Sequence, residues 1–174
     1  VNTSNKELMP LISGGIRGTQ ILPDTEVHYV PQGIANQYNK DDSFTIEAWC
    51  VLPPTQIDIT IVGDTSINTG LFYKNGNIIF KVGGNEIEYS VSNSQSLHLV
   101  GIFEGTSISL YINGALVESS NIGNYQFSNS SLDFKTGSAN GKFVIDCVAF
   151  YKFRLSENQI RAHYLEGIKE INSS

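Results

Sequence analysis

The amino-acid sequence predicts an all-β protein with one short helix near its C-terminal end. Three observations carry this prediction. Tight-turn signals recur along the chain, the segments between them are rich in β-branched and aromatic residues, and a helix-capping motif stands out at Ser156. Strand-like segments that recur roughly every 8–12 residues favour a sandwich or a barrel over βαβ units. At 174 residues, the chain is long enough to bury a core without disulfides or metal ions.

Ten segments have the composition of strands. In chain order they are 44–52, 58–63, 70–74, 77–82, 86–91, 97–103, 107–112, 115–119, 132–137 and 142–152. Three of the intervening turns carry the dipeptides that hairpins prefer, namely Asn75-Gly76, Gly83-Gly84 and Asn113-Gly114. A type I′ turn needs a positive φ at both central residues, so we expect a positive φ at Gly114.

The single predicted helix begins with a capping box. Ser156 can accept from the Gln159 amide while the Gln159 side chain reaches back to Ser156. Ile160, His163 and Tyr164 then recur at helical spacing, and Gly167 is a candidate C′ residue, which gives about two to three turns. We expect residues 1–174 to form one domain, with a core at about 9–167 and loose ends at 1–8 and 168–174.

The charge pattern excludes two classes of partner. The net charge is −6, the isoelectric point is about 4.9 and only 16% of the residues are charged. No basic stripe is available to neutralise phosphates, so we expect neither nucleic acid nor an anionic membrane as a partner. No apolar run reaches the ~18 residues of a membrane span, so membrane insertion is not expected, and no signal peptide is visible.

Three segments in register resemble the concanavalin A-like jelly rolls of the laminin-G/pentraxin-like group. They are SFTIEAWCVLP (Ser43–Pro53), LHLVGIFEGTSISLYINGALV (Leu97–Val117) and VIDCVAFYKFRLSENQIRAHY (Val144–Tyr164). The segment 10–30 is similar to the opening strand of that group. The resemblance implies an antiparallel β-sandwich (jelly roll) of two curved sheets with one short C-terminal helix. Such domains are frequent in bacteriophage tail and virion proteins and in bacterial surface proteins.

The sequence lacks the residues that catalytic members of this group use. No Glu-x-Asp-x-x-Glu strand motif places two carboxylates for glycoside cleavage, and no serine is accompanied by a nucleophile-elbow pattern. Glu86 and Glu88 share one strand face and are interpreted as solvated charges. We interpret His98 as a buried histidine whose tautomer a neighbour fixes, and His163 as a packing residue. Trp49 is assigned to the core. No catalytic residue is therefore predicted.

Metal binding is not expected, although calcium stays an open alternative. Many relatives bind calcium through loop oxygens. Arg17 stands where an aspartate often precedes Gly18, and Cys147 stands where a second acid often follows Asp146. Asp41 and Asp42 could still contribute oxygens. We predict no cofactor, and we expect Cys50 and Cys147 to be free, buried thiols because both lie in apolar strands.

Carbohydrate ligands are the most plausible small molecules. We assign candidate ligand-binding roles to Tyr73, Asn75 and Tyr125, since aromatic and amide side chains in turns can bind sugars.

The sequence favours a non-catalytic recognition or structural module of a larger virion (phage tail or capsid-associated) or surface assembly. Its expected partners are other virion or surface proteins, with glycans as a further class, and its expected location is the virion or the extracellular surface. The first alternative is a carbohydrate-binding lectin domain for host or polysaccharide glycans. The second is a diverged glycosidase, which hydrolysis of a polysaccharide would reveal.

Overall fold

Two antiparallel sheets of six strands each form the body of the computed structural model. It describes residues 20–22, 27–29, 43–92, 96–125, 134–137 and 143–173. The predicted β-sandwich with a C-terminal helix is confirmed. In spatial order, sheet A consists of β1 (Gln20–Leu22), β12 (Phe143–Tyr151), β3 (Phe44–Val51), β8 (Ser96–Phe103), β9 (Ser107–Ile112) and β10 (Ala115–Asn121). Sheet B consists of β2 (Val27–Tyr29), β11 (Phe134–Gly137), β4 (Ile59–Asp64), β5 (Thr69–Lys74), β6 (Asn77–Val82) and β7 (Asn85–Ser90).

All ten predicted strands occur, as β3 to β12, with bounds that differ by a few residues. The segment that was predicted to supply one opening strand instead contributes two short strands, one to each sheet. Gln20 pairs with Ile145 in sheet A, and Val27 pairs with Thr136 in sheet B. The opening segment therefore adds an edge strand to each sheet rather than to one sheet alone.

The predicted hairpin turns are confirmed by their backbone angles. Asn113 and Gly114 have φ values of 53° and 79°, and Asn75 and Gly76 have 51° and 83°. Both pairs satisfy the type I′ requirement for a positive φ at two successive residues. Asparagine tolerates the left-handed region better than most residues, which explains why these dipeptides occupy the turns.

The main core lies between the two sheets. Its side chains alternate along each strand, so that Phe44, Ile46 and Ala48 of β3 point inward. From sheet B, Leu71 and Phe80 meet them. A glycine on β8 makes room for one of the largest of these side chains, because a Cβ at Gly101 would lie 2.5 Å from the Phe80 ring.

A second, smaller core lies on the outer face of sheet A. Helix α1 (Glu157–Ser173) covers this face, and Ile160 packs there with Val100, Ile102 and Tyr111. Strand β3 is buried along almost its whole length because the sandwich core covers one face and the helix side covers the other. We call this helix-covered outer surface of sheet A the covered face.

Helix α1 begins where the capping box predicts. The Gln159 N–H donates to Ser156 Oγ at 3.2 Å, and the Ser156 N–H donates to Gln159 Oε1 at 2.9 Å. The predicted end at Gly167 is wrong, because the helix continues to Ser173 and Gly167 is buried inside it. A Cβ at Gly167 would overlap the Trp49 ring. This glycine therefore lets the helix pack closely against Trp49 and does not end the helix.

Candidate functional site

The outer surface of sheet B differs from the covered face in being uncovered. No helix or strand of the described residues lies over it. We call this surface, formed by the outward side chains of β4, β5, β6, β7 and β11, the open face. One cross-strand row on it contains Gly137, Thr60, Phe72 and Ile79, in that order. Directly paired residues face the same side of a sheet, so these four residues lie next to one another on the open face.

A cleft of about 330 Å³ follows this row. Two small residues, Gly137 and Thr60, stand beside two large ones, Phe72 and Ile79, and this step in side-chain size creates the depression. Asn68, at the C-terminal end of a short 3-10 helix (Thr65–Ile67), adds an amide to the lining. The cleft therefore combines an aromatic ring, aliphatic surface and neutral hydrogen-bonding groups.

Two lysines border the cleft, each paired with a carboxylate. Lys81 Nζ lies 5.7 Å from the centre of the Phe72 ring and 3.2 Å from Glu86. Lys74 Nζ lies 3.7 Å from Asp58, and both of these side chains are more than half exposed. The solvent-exposed Lys74–Asp58 pair contributes little to stability, so its charges remain available to a polar ligand.

The three predicted ligand residues do not lie together. Tyr73 lies within β5 rather than in a turn. Its side chain is 1% exposed and belongs to the sandwich core, although the residue also borders the cleft. Asn75 lies in the β5–β6 turn at one end of β6, whereas Tyr125 packs over the β6–β7 turn at the other end. A strand of this length separates the two turns by on the order of 20 Å. The placement of Tyr73 in a turn was wrong, and ligand binding by these residues stays a prediction.

Tyr125 has a clear packing role. Its ring meets the Phe103 ring edge-on at 6.3 Å, and its N–H donates to the Gly105 carbonyl at 3.2 Å. A Cβ at Gly83 would overlap the Tyr125 ring, so the glycine turn and the tyrosine fit closely. The half-buried ring therefore closes one end of the sandwich, whatever else it does.

The covered face contains a cluster that sequence reasoning missed, centred on the carboxylate of Glu47. This residue is 4% exposed. Its Oε1 accepts from His98 Nε2 at 2.7 Å and from His163 Nδ1 at 2.9 Å, while its Oε2 accepts from the Tyr151 hydroxyl at 2.9 Å. We call Glu47, His98, His163 and Tyr151 the Glu47 cluster. A glutamate in the middle of the apolar strand FTIEAWCV was the available signal, since buried carboxylates are rare unless paired.

The interpretations of His98 and Trp49 are confirmed. His98 is fully buried, and because the carboxylate can only accept, Nε2 of His98 carries the proton. Trp49 is 2% exposed, and its ring lies 5.0 Å from His98 and 6.0 Å from Tyr164. His163 does more than pack, because it contacts both oxygens of Glu47.

The remaining sequence candidates have ordinary surroundings. Glu86 and Glu88 lie on the exposed side of β7, where they pair with Lys81 and with Asn77. Among the described residues, no group of three or more histidine, cysteine, aspartate or glutamate side chains could hold a metal ion. Arg17, Asp41 and Asp42 lie outside the described residues.

Both cysteines are buried thiols that are not joined in a disulfide, and they lie on adjacent strands. Burial raises the pKa of Cys50 to about 12. Cys147 lies in a bulge of β12, where the backbone takes a φ of 49° and its N–H donates to Asp146 Oδ1 at 2.7 Å. Cys50 is therefore a weak nucleophile at neutral pH.

The sequence matches the Laminin_G_3 family, described as the concanavalin A-like lectin/glucanases superfamily, over residues 26–161. The chain belongs to this family. Its fold is thus the one that the three sequence segments imply, and the Glu47 cluster joins two of those segments to the helix of the third. No match is found among curated proteins.

Solved structures with the same fold include binding domains of botulinum neurotoxins. The serotype G binding domain is 17% identical, with a TM-score of 0.68 over 90% of this chain and 43% of that one. The binding domain of neurotoxin DC, solved in complex with rat synaptotagmin II, is 15% identical, with a TM-score of 0.64 over 80% of this chain and 40% of that one. The chain spans less than half the length of these domains, and identities this low show the fold alone. None of the described helices is both long and apolar enough to cross a bilayer.

Proposed function

We propose that the chain is a non-catalytic recognition or structural module of a larger virion assembly, such as a phage tail, or of a surface assembly. The open face is the surface that meets the partner. The observation that carries the proposal is the contrast between an accessible cleft and a buried Glu47 carboxylate. The charge-poor composition and the family resemblance to tail and surface proteins support the virion or surface location.

The Glu47 cluster has the residue types of a catalytic site but not the access. Glu47 is 4% exposed, and both of its oxygens already accept hydrogen bonds from protein side chains. A substrate could hydrogen-bond to Glu47 only by displacing one of these donors. A general acid or base must come within hydrogen-bonding distance of the substrate, so this cluster fits a structural role.

The cleft on the open face is accessible but lacks paired carboxylates. Asp58 is the single carboxylate among its described lining residues. Glycoside hydrolysis by the usual mechanisms needs two carboxyl groups that flank the scissile bond. The expected result of incubating the protein with a panel of polysaccharides is that no reducing ends are released, and measurable hydrolysis would overturn the non-catalytic proposal.

The proposed assembly role predicts that the protein is found on the outside of particles or cells, so its location tests the proposal. An antibody raised against this chain should label the outside of intact particles or cells from the source in immunogold electron microscopy. Labelling confined to the cell interior would contradict the proposal. The matched control is preimmune serum on the same grids.

A second candidate function, glycan binding, is favoured by the Phe72 ring on the open face. The accessible part of the half-buried Phe72 ring can pack against the apolar side of a pyranose. The amide of Asn68 and the hydroxyl of Thr60 can exchange hydrogen bonds with the sugar hydroxyls. Lys74 and Lys81 supply charge at the rim. This combination is what a small polar ligand with one apolar surface requires.

A glycan array followed by titration calorimetry tests this candidate. A glycan that binds wild type should lose at least tenfold in affinity with Phe72→Ala and should be unaffected by Tyr89→Ala, an exposed aromatic outside the cleft. Loss of affinity with Asn75→Ala or Tyr125→Ala instead would move the site to the turns named by the sequence. An array without any binding would favour protein partners.

A further inference from the structure

The Glu47 cluster ties the helix to three strands at once. Glu47 lies on β3, His98 on the neighbouring β8, Tyr151 on the other neighbour β12, and His163 on α1. The three donors are separated from Glu47 by 51, 104 and 116 positions in the sequence. The carboxylate is therefore the point at which the helix is joined to the middle of sheet A.

We infer that Glu47 and His163 form a proton-controlled clamp that holds helix α1 on the covered face. The clamp is tightest when the His163 imidazole is doubly protonated and carries a positive charge opposite the Glu47 carboxylate. When the pH rises and that proton leaves, the hydrogen bond from Nδ1 remains available but the charge attraction is lost. The helix then opens more often from the sheet.

His163 is the member of the cluster that can exchange protons with solvent. Its side chain is 25% exposed, whereas His98 is fully buried and its Nδ1 has no hydrogen-bond partner among the described residues. His163 therefore fits the role of the titrating partner.

The groups that face His163 from the packed elements favour its protonation. Glu47 faces it from β3, and the neutral Tyr151 hydroxyl from β12 shares the same carboxylate, with the two rings 6.4 Å apart. From β8, His98 donates to the oxygen that His163 also contacts. Among the described residues, no lysine or arginine forms an ion pair with Glu47, so no other cation competes for its charge.

The direction of the pKa shifts agrees with this geometry. The hydrogen bond to Glu47 raises the pKa of His163 above its ordinary value of 6.5, against the opposing effect of burial. Burial by itself raises the pKa of Glu47, but the hydrogen bonds from His163 and His98 outweigh it and lower the pKa from 4.5 to about 2. Each member thus stabilises the charged form of the other.

These directions define the pH range of the clamp. A raised pKa at His163 contributes stability that is complete below 6.5 and is lost as the pH rises through the folded value. A lowered pKa at Glu47 contributes stability that is present above 4.5 and is lost as the pH falls towards about 2. The clamp is therefore tightest between 4.5 and 6.5, and it weakens on either side of that interval.

The helix depends on the clamp because its apolar contact with the sheet is narrow. Of the residues of α1 whose burial is described, only Ile160 and Gly167 are buried, and His163, Tyr164 and Ile168 are half-buried. Elements with few buried contacts open locally at lower free energy than the core of the protein. A change in one charge pair can therefore shift the opening of the helix without unfolding the sandwich.

Amide hydrogen exchange of α1, measured from pH 5.5 to 8.5 and corrected for the intrinsic exchange rate, tests the clamp. The opening constant of α1 should rise with pH, tenfold for each pKa unit by which docking raises the pKa of His163. His163→Gln keeps an amide donor but cannot titrate, so its profile should be flat. Lys169→Gln, on the exposed side of the same helix, should keep the wild-type profile.

Two further measurements keep the test decisive. Trp49 is the single tryptophan and lies beneath Gly167, so quenching of its fluorescence by acrylamide should increase with pH in step with the exchange. An NMR titration of the wild-type His163 ring needs no variant at all. A His163 midpoint at or below that of the urea-unfolded chain, or an unchanged pH profile in His163→Gln, would overturn the clamp.

Discussion

The covered face and the open face are the two outer surfaces of one sandwich, yet they use polar residues in opposite ways. On the covered face, the Glu47 carboxylate is out of water and every hydrogen bond it makes is to another part of the chain. On the open face, Lys74 and Asp58 are a loose, solvated pair. Removing a partner from a buried cluster is costly, whereas an exposed pair contributes little. The covered face therefore stabilises the fold, and the open face is free to bind.

Replacing the central carboxylate should give the largest difference between the two faces. Glu47→Ala leaves three buried or half-buried donors without their acceptor, so we expect the free energy of unfolding to fall by about 3 kcal/mol. Asp58→Ala on the open face should change it by less than about 0.5 kcal/mol. Urea unfolding followed by Trp49 fluorescence measures both variants. Equal losses in the free energy of unfolding for the two variants would contradict the distinction between a stabilising covered face and a solvated open face.

The next largest effect tests how closely the helix approaches the sheet. Gly167→Ala places a methyl group where the Trp49 ring lies, so we expect a loss of about 2 kcal/mol from overpacking. At an exposed helix position the same change would stabilise by about 1 kcal/mol. The sign of the shift in melting temperature is therefore informative by itself. Glu166→Ala, at the exposed neighbouring position, is the control and should be nearly neutral.

A smaller effect is expected at the start of the helix. Ser156→Ala removes the acceptor of the Gln159 N–H and should cost about 1 kcal/mol. Because the cap is exposed, its loss should weaken α1 without changing the pH dependence that the Glu47 cluster produces. Thermal unfolding at pH 6 and pH 8 measures both quantities. A variant that melts like wild type would show that the capping box does not contribute.

The smallest effect is expected from metal removal, because we propose that neither face uses a cofactor. EDTA should leave the melting temperature unchanged. A site that bound calcium only in the native state would add RT ln(1 + [L]/Kd), so millimolar calcium would reveal even weak binding. A rise of several degrees with calcium would assign a metal to residues outside the described part of the chain, with Asp41 and Asp42 as the first candidates.

Much of the fold could be predicted because its signals are local. The Asn113-Gly114 turn, the Ser156–Gln159 capping box and the alternation of Phe44, Ile46 and Ala48 each depend on residues only a few positions apart. Backbone sterics and strand periodicity act over the same short range. The candidate site was harder to predict from the sequence. Its cleft is formed by a row of residues from β11, β4, β5 and β6, which become neighbours only through the register of the sheet.

The sequence by itself determined where strands β3 to β12, the hairpin turns and the start of the helix lie. Only the tertiary structure decided what each face would bury. The sequence does not show that Glu47 would meet His163, 116 positions away, that Tyr73 would point into the core, or that Gly167 would continue the helix against Trp49. The physical reason is that burial depends on which element covers a surface. That choice is made by long-range packing, which favours the arrangement that satisfies a buried carboxylate and fills the space beside an aromatic ring.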